Sequence, residues 1–255
     1  MKRSERHHLK ENTLATWLLD LQELLETRRR TVMILALLTV GLLIAAGGYL
    51  SYQRSLAARG TDLLADALNT ATAPVVPPTP PPDPDNPTAP RPAPAFQPGS
   101  YTSASRRAEA ALEKFLSAAD AYPDSPAGIT ARYHAATTLG VLGRRDEAEA
   151  QYRQVVELAS DHIYGTMARL GLAETQMYAG KHAAAIELFE AELSGGNPRV
   201  PIDGVLMQLG RAYLLADRTA KAQESFARVV DEFPESVYGP AAQEELDKLE
   251  RPSEG

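Results

Sequence analysis

Residues of matching size return every 37 positions along the second half of this chain, and that period limits the fold more than any other feature. Ala111, Ala148, Ala185 and Ala222 form one series, and Phe115, Tyr152, Phe189 and Phe226 form another, four positions further on. A third runs Ala131, Ala168, Val205 and Ala242. A fourth runs Ala136, Ala173 and Gly210, and is followed seven residues later by Gly143, Gly180 and Asp217. A spacing of four puts the small residue and the aromatic on one helical face, and a Gly after an apolar helical stretch is a stop signal. Each period therefore reads as a hairpin. A first helix carries a small residue, the chain turns at the Gly, and a second helix sets its Ala against that small residue. The aromatic one turn later fills the gap to the next unit. Pro123-Asp124-Ser125 and Pro234-Glu235-Ser236 lie three periods apart, each closing a unit.

These residues resemble the tetratricopeptide repeat, a helix-turn-helix unit of about 34 residues, here lengthened in the connecting loop. The best unit is LGRAYLLADRTAKAQESFARVVDEFP, where Leu209, Gly210, Tyr213, Ala222, Phe226, Val229 and Pro234 fall at the pattern's positions. The expected fold is all-α: an N-terminal amphipathic helix and one transmembrane helix, then a tetratricopeptide-repeat superhelix of three to four hairpins with a C-terminal capping helix. The resemblance implies protein binding on the concave face, lined by the first helix of each hairpin. Carried through the 37-residue register, it nominates Tyr133, Thr137 and Val141, then Leu170, Glu174, Met177 and Tyr178, then Met207, Arg211, Leu214 and Leu215. Tyr133 and Thr137 stand where some cytosolic relatives carry the Lys and Asn of a carboxylate clamp, which disfavours a heat-shock adaptor. The aromatics of the second series are expected to be core.

Ahead of the repeats, Thr31 to Leu50 is an uninterrupted apolar run without a charge. Twenty residues at about 1.5 Å each span the ~30 Å hydrocarbon core of a bilayer. Arg28, Arg29 and Arg30 abut its start, with only Arg54 and Arg59 near its far side. The positive-inside rule then places the N-terminus in the cytoplasm and the repeats outside it. A cleavable signal peptide would have a shorter apolar region and a shorter basic stretch before it, so an uncleaved anchor is expected. Gly41 with Ala45, and Gly47 with Ser51, are weak signals for close helix approach. Within the cytoplasmic segment 1–30, Leu14, Trp17, Leu18, Leu21, Leu24 and Leu25 share one helical face. That face suits the membrane surface, a docking partner or a simple extension of the span.

Residues 31–52 thus form the span, 53–73 an amphipathic helix, 74–98 a linker, and 99–255 the repeat domain. The linker holds 12 of the 19 prolines, which exclude both helix and sheet. Leu56, Leu63, Leu64 and Leu68 give the 53–73 helix an apolar stripe. Running the register backward makes Ala111 and Phe115 part of a second helix whose own first helix would fall across the prolines. We therefore expect the 53–73 helix to dock there and complete the first unit, leaving the proline segment as a looped insertion close to the membrane.

The net charge of -7 concentrates in residues 99–255, which carry -8 against +2 for 1–30. So acidic a domain is a poor nucleic-acid binder. Cysteine is absent, which removes disulfides, thiolate metal sites and a lipid-bearing Cys. No phosphate loop, zinc-protease motif or nucleophile elbow occurs, and the five histidines form no metal pattern. The expectation is a protein that is not an enzyme, takes no cofactor or small-molecule substrate, and works through membrane and protein partners.

The whole layout, ending in DEFPESVYGPAAQEELDKL, is similar to the bacterial ancillary translocon subunit and cell-division coordinator family. That resemblance implies a single-pass inner-membrane protein with a periplasmic repeat domain, assisting secretion or chaperoning. Its partners would be translocon, chaperone or envelope-assembly components, or non-native exported chains. An envelope-assembly or cell-division scaffold is the alternative, and the Pro-rich insert departs from the compact family pattern.

Overall fold

Each sequence period folds as two antiparallel helices because its glycine supplies the reversal. Gly143 and Gly180 adopt φ of 76° and 77°, and Asp217 takes the same left-handed turn at 57°. The structure, a computed structural model, describes residues 28–76, 98–195 and 199–250. Among these residues it contains nine helices and no strand: α1 Arg29–Ala71, α2 Ala104–Ala121, α3 Pro126–Val141, α4 Arg145–Leu158, α5 Ile163–Tyr178, α6 His182–Ser194, α7 Ile202–Leu215, α8 Thr219–Glu232 and α9 Gly239–Glu250. The amphipathic face assigned to Leu14 through Leu25 and the body of the proline linker lie outside the described residues.

The chain divides into two compact units, Met1–Leu56 and Ala57–Gly255. In the first, the described part of α1 is long and apolar enough to cross a membrane and buries none of its apolar window. Leu37, Leu42 and Ile44 are 68%, 71% and 71% exposed, a surface that water does not favour. The hydroxyl of Thr39 donates to the carbonyl of Leu35 at 2.8 Å, so this polar group is satisfied within the helix. The spans 31–52 and 53–73, read from sequence as separate elements, are joined in one continuous helix of 43 residues that ends at Ala71.

In the second unit, the pairs α3/α4, α5/α6 and α7/α8 are the three sequence periods, and α9 closes the array with buried Ala242. The register positions coincide in space as well as in sequence. Ala111, Ala148, Ala185 and Ala222 are all at most 1% exposed, as are Phe115, Phe189 and Phe226. Serine or histidine opens the first helices of two hairpins: Ser125 accepts the Gly128 N–H at 3.0 Å, and His162 Nδ1 accepts the Tyr164 N–H at 3.3 Å, one period later, whereas α7 opens at Pro201 without a side-chain cap.

The last turns of α1 supply the missing first helix of the leading unit. Ala67 is fully buried, and Leu64, Leu68 and Ala71 pack into the same cluster as Leu112 and Phe115. Lys114 Nζ donates to Asp66 at 2.8 Å, and the Arg107 guanidinium donates to the Ala73 carbonyl at 3.0 Å. Two members of the expected stripe, Leu56 and Leu63, do not join this cluster. Leu63 is exposed, because Gly60, Leu64 and Ala67 form the packed face and Leu63 lies off it. The two ends of the proline segment meet: Val76 N–H donates to Tyr101 O at 2.8 Å, and Tyr101 N–H donates to Pro74 O at 2.9 Å.

Buried charges tie the hairpins together. Glu149 on α4, with only 4% of its side chain exposed, accepts from Lys181 Nζ at 2.9 Å, from Gln176 at 3.3 Å and from Arg153. The Lys181 hydrogen bond outweighs burial and holds this carboxyl below the usual carboxylate range. A depressed folded-state pKa stabilises the fold above the unfolded value, about 4.3, and the contribution is lost as pH falls through the folded value. Glu149→Gln is therefore expected to lower stability at neutral pH and to flatten the acid limb of a stability-against-pH curve measured by denaturant unfolding. Acid limbs of equal steepness in the two proteins would show that this clamp does not contribute.

Candidate functional site

A cleft of about 540 Å³ opens on the face formed by the first helices of the hairpins, inside the second unit. Four of the sequence-nominated residues, Tyr133, Thr137, Leu170 and Glu174, line it together. They project from α3 and α5 at four-residue spacing, so each helix presents one turn of side chains to the opening. Val141, Tyr178 and Leu215 end α3, α5 and α7 at the same register and are 77%, 63% and 48% exposed, outside the cleft. Arg211 is exposed and Leu214 is half-buried.

Two nominations are corrected. Met177 is 2% exposed and Met207 fully buried, so both belong to the core instead of the groove. The register equates Met177 with the exposed Gly140 and the half-buried Leu214, and equates Met207 with cleft-lining Leu170. It identifies equivalent positions within hairpins. How far successive hairpins rotate, and hence which position is covered, depends on the packing of their ridges.

The cleft also includes residues that the register did not nominate, among them Tyr152, Met167, Asp203, Gln208, Val237 and Tyr238. The sequence pattern places Tyr152 in the core alone. Its ring is buried, but it leans over Gly171, where a Cβ would come within 2.4 Å of the ring. One period earlier the equivalent position is His134, which stacks on Phe115 at 5.3 Å. Gly171 thus makes room for Tyr152 to reach the cleft, where its hydroxyl lies 3.2 Å from that of Thr137. Gly204 similarly accommodates Tyr238, whose ring would lie 3.2 Å from an added Cβ. The glycines were visible in the sequence, but which ring each one faces was not.

Aromatic edges dominate one wall. Tyr133 lies 6.0 Å from Tyr152 and 5.4 Å from Tyr164, ring centre to ring centre. Burial pushes the Tyr152 phenol up to about 12 and raises Tyr133 as well, so both keep their protons at neutral pH. Burial also raises the Glu174 carboxyl above its ordinary value, opposed by the positive field of Arg211. Asp203 accepts from the Ser236 hydroxyl at 2.6 Å, while the Oε1 of Gln208 is buried without a partner among the described residues. The arrangement offers apolar walls, phenolic edges and unpaired acceptors, which suits binding a protein segment.

Tetratricopeptide-repeat families match residues 133–199 and 205–236, so the helix hairpins around the cleft are tetratricopeptide repeats. No curated protein sequence matches the chain. Similar solved structures include kinesin light chain tetratricopeptide-like repeats from Podospora anserina, at 20% identity and a TM-score of 0.49, covering 56% of this chain and 78% of that one. The 41-end fragment of MamA from Desulfovibrio magneticus RS-1 is similar at 18% identity and a TM-score of 0.44, covering 56% of this chain and 84% of its own. Another MamA crystal structure aligns at 16% identity with the same TM-score, covering 56% of this chain and 85% of that one.

Proposed function

We propose that this chain is a membrane-anchored protein-interaction scaffold that assists the secretion or chaperoning of exported proteins in a bacterial cell envelope, with its repeats on the extracytoplasmic side. The observation that carries the reading is the cleft on the repeat face, where Tyr133, Leu170 and Val237 form an apolar and aromatic lining beside unpaired acceptors. The anchor rests on the apolar helix of the first unit, and its orientation on Arg28, Arg29 and Arg30 at the start of that helix. The acidic balance of the repeat domain argues for protein partners over nucleic acid.

The test places a photo-crosslinking amino acid at Val237, 85% exposed at the rim of the cleft, or at Glu224 on α8 as a control, in intact cells. Val237 should capture translocon components, envelope chaperones or exported chains in far greater yield than Glu224. Equal yields from the two positions would remove the cleft from the account. Capture of cytosolic proteins alone would reverse the orientation, and capture of division or envelope-assembly proteins would favour the structural-scaffold alternative.

A further inference from the structure

Two acceptor groups of the cleft, those of Glu174 and Gln208, have no donor among the described residues, whereas Asp203 is engaged by the Ser236 hydroxyl. Glu174 lies half-buried in its wall, and no group among the described residues donates a hydrogen bond to its carboxylate. Gln208, on the adjoining first helix α7, buries its Oε1 with no partner. A buried acceptor left unpaired costs free energy that a bound donor recovers. Around these groups the walls are apolar or phenolic: Leu170, Val200 and Val237, with the rings of Tyr133 and Tyr152. Aromatic faces beside a carboxylate attract a cation as well as aliphatic surface. Arg211, whose positive field acts on Glu174, forms no ion pair with it and is itself exposed.

From this geometry we infer that the cleft takes a segment of a partner protein in which one Arg or Lys is flanked by aliphatic side chains, the cation meeting Glu174 and a backbone or side-chain N–H meeting Gln208. The inference rests on the protein-binding reading above and names the chemistry of its partner. The charge of residues 99–255, -8, acts in the same direction by drawing basic segments toward the domain. An acidic or purely aliphatic segment could still offer a backbone N–H to Gln208 but would leave Glu174 without a cation.

The probe is a fluorescein-labelled peptide, Gly-Ala-Leu-Ala-Arg-Ala-Leu-Ala-Gly, with counterparts carrying citrulline or glutamate in place of arginine. Binding to the full chain in nanodiscs is read by fluorescence anisotropy. The arginine peptide should bind about tenfold tighter than the citrulline peptide, with the glutamate peptide weakest, and the preference should shrink as salt rises. Glu174→Gln should erase the difference, Glu174→Lys should invert it, and Arg211→Ala should sharpen it by removing a competing cation. Equal affinities for the three peptides, or a preference that survives Glu174→Gln, would overturn the inference while leaving the protein-binding reading intact. Failure of every peptide to bind saturably would overturn both. Binding that appears only after deletion of residues 77–97 would identify the chain's own Pro-rich segment, which carries Arg91, as the occupant and would overturn the assignment to a partner.

Discussion

Replacing Gly128 or Gly165 with Ala is expected to destabilise the repeat domain by about 3 kcal/mol, near the top of the range for adding one methyl group to a packed site. At Gly128 an added Cβ would stand 1.8 Å from the carbonyl oxygen of Tyr122, and at Gly165 it would stand 2.0 Å from that of Ala159. These obstacles are backbone atoms, which cannot rotate aside as a side-chain tip can. Each oxygen is also engaged: Tyr122 O accepts the Ser125 N–H at 3.1 Å, and Ala159 O accepts the His162 N–H at 2.9 Å. Moving either carbonyl therefore breaks the bond that shapes the joint between hairpins. Gly140→Ala is the control. Nothing lies within 4 Å of its added Cβ, so the helix should gain about 0.5–1 kcal/mol from the lost backbone freedom of glycine. Urea unfolding of the three variants checks the ranking, and a Gly128→Ala protein as stable as the parent would show that the joint yields.

Removing the docked end of α1 should have a comparable or larger effect on the leading unit. A fragment beginning at residue 99 should be less stable than one beginning at residue 54 by about 4 kcal/mol, from two or three apolar side chains at roughly 1.5–3 kcal/mol each, less loop-closure entropy. The loss should concentrate where Leu64, Ala67 and Leu68 share a cluster with Leu112 and Phe115. Repeat arrays need not unfold in a single step, so hydrogen exchange of the α2 amides is the sharper measurement. Leu64→Asp in the longer fragment should reproduce the shorter fragment's exchange. Leu63→Asp should leave it unchanged, because Leu63 is 38% exposed on the outer side of the helix. Equal α2 protection in the two fragments would mean that the leading helix contributes nothing to the unit.

The joint also shows what a single sequence conceals. Gly128 and Gly165 are one period apart, as are Tyr122 and Ala159, so the pair was available to the same register that found Ala111 and Phe115. It went unnoticed because a glycine early in a helix gives no apolar signal, and its reason is the approach of another segment's backbone. Arg132 and Arg169 are a similar case. The sequence pattern assigns them no role. In the fold, Arg132 is 7% exposed and donates to Asp120, Gln151 and Gln154, while Arg169 holds Glu192 at 2.9 Å and Thr166 at 3.0 Å.

By itself the sequence determined the all-α class, the repeat and its phase, the turn positions and the apolar helix ahead of them. These follow from contacts between residues a few positions apart, or one period apart, and such contacts leave a periodic trace in side-chain size. The docking of α1 was legible too, as two unpartnered apolar faces separated by a segment that proline bars from forming a helix. Only the tertiary structure decided that Met177 and Met207 turn inward, that Tyr152 reaches the cleft over Gly171, and that Val237 and Tyr238 complete its rim. Those outcomes depend on how each hairpin is rotated against the next, a property of whole packed ridges that no residue's own position in the repeat records.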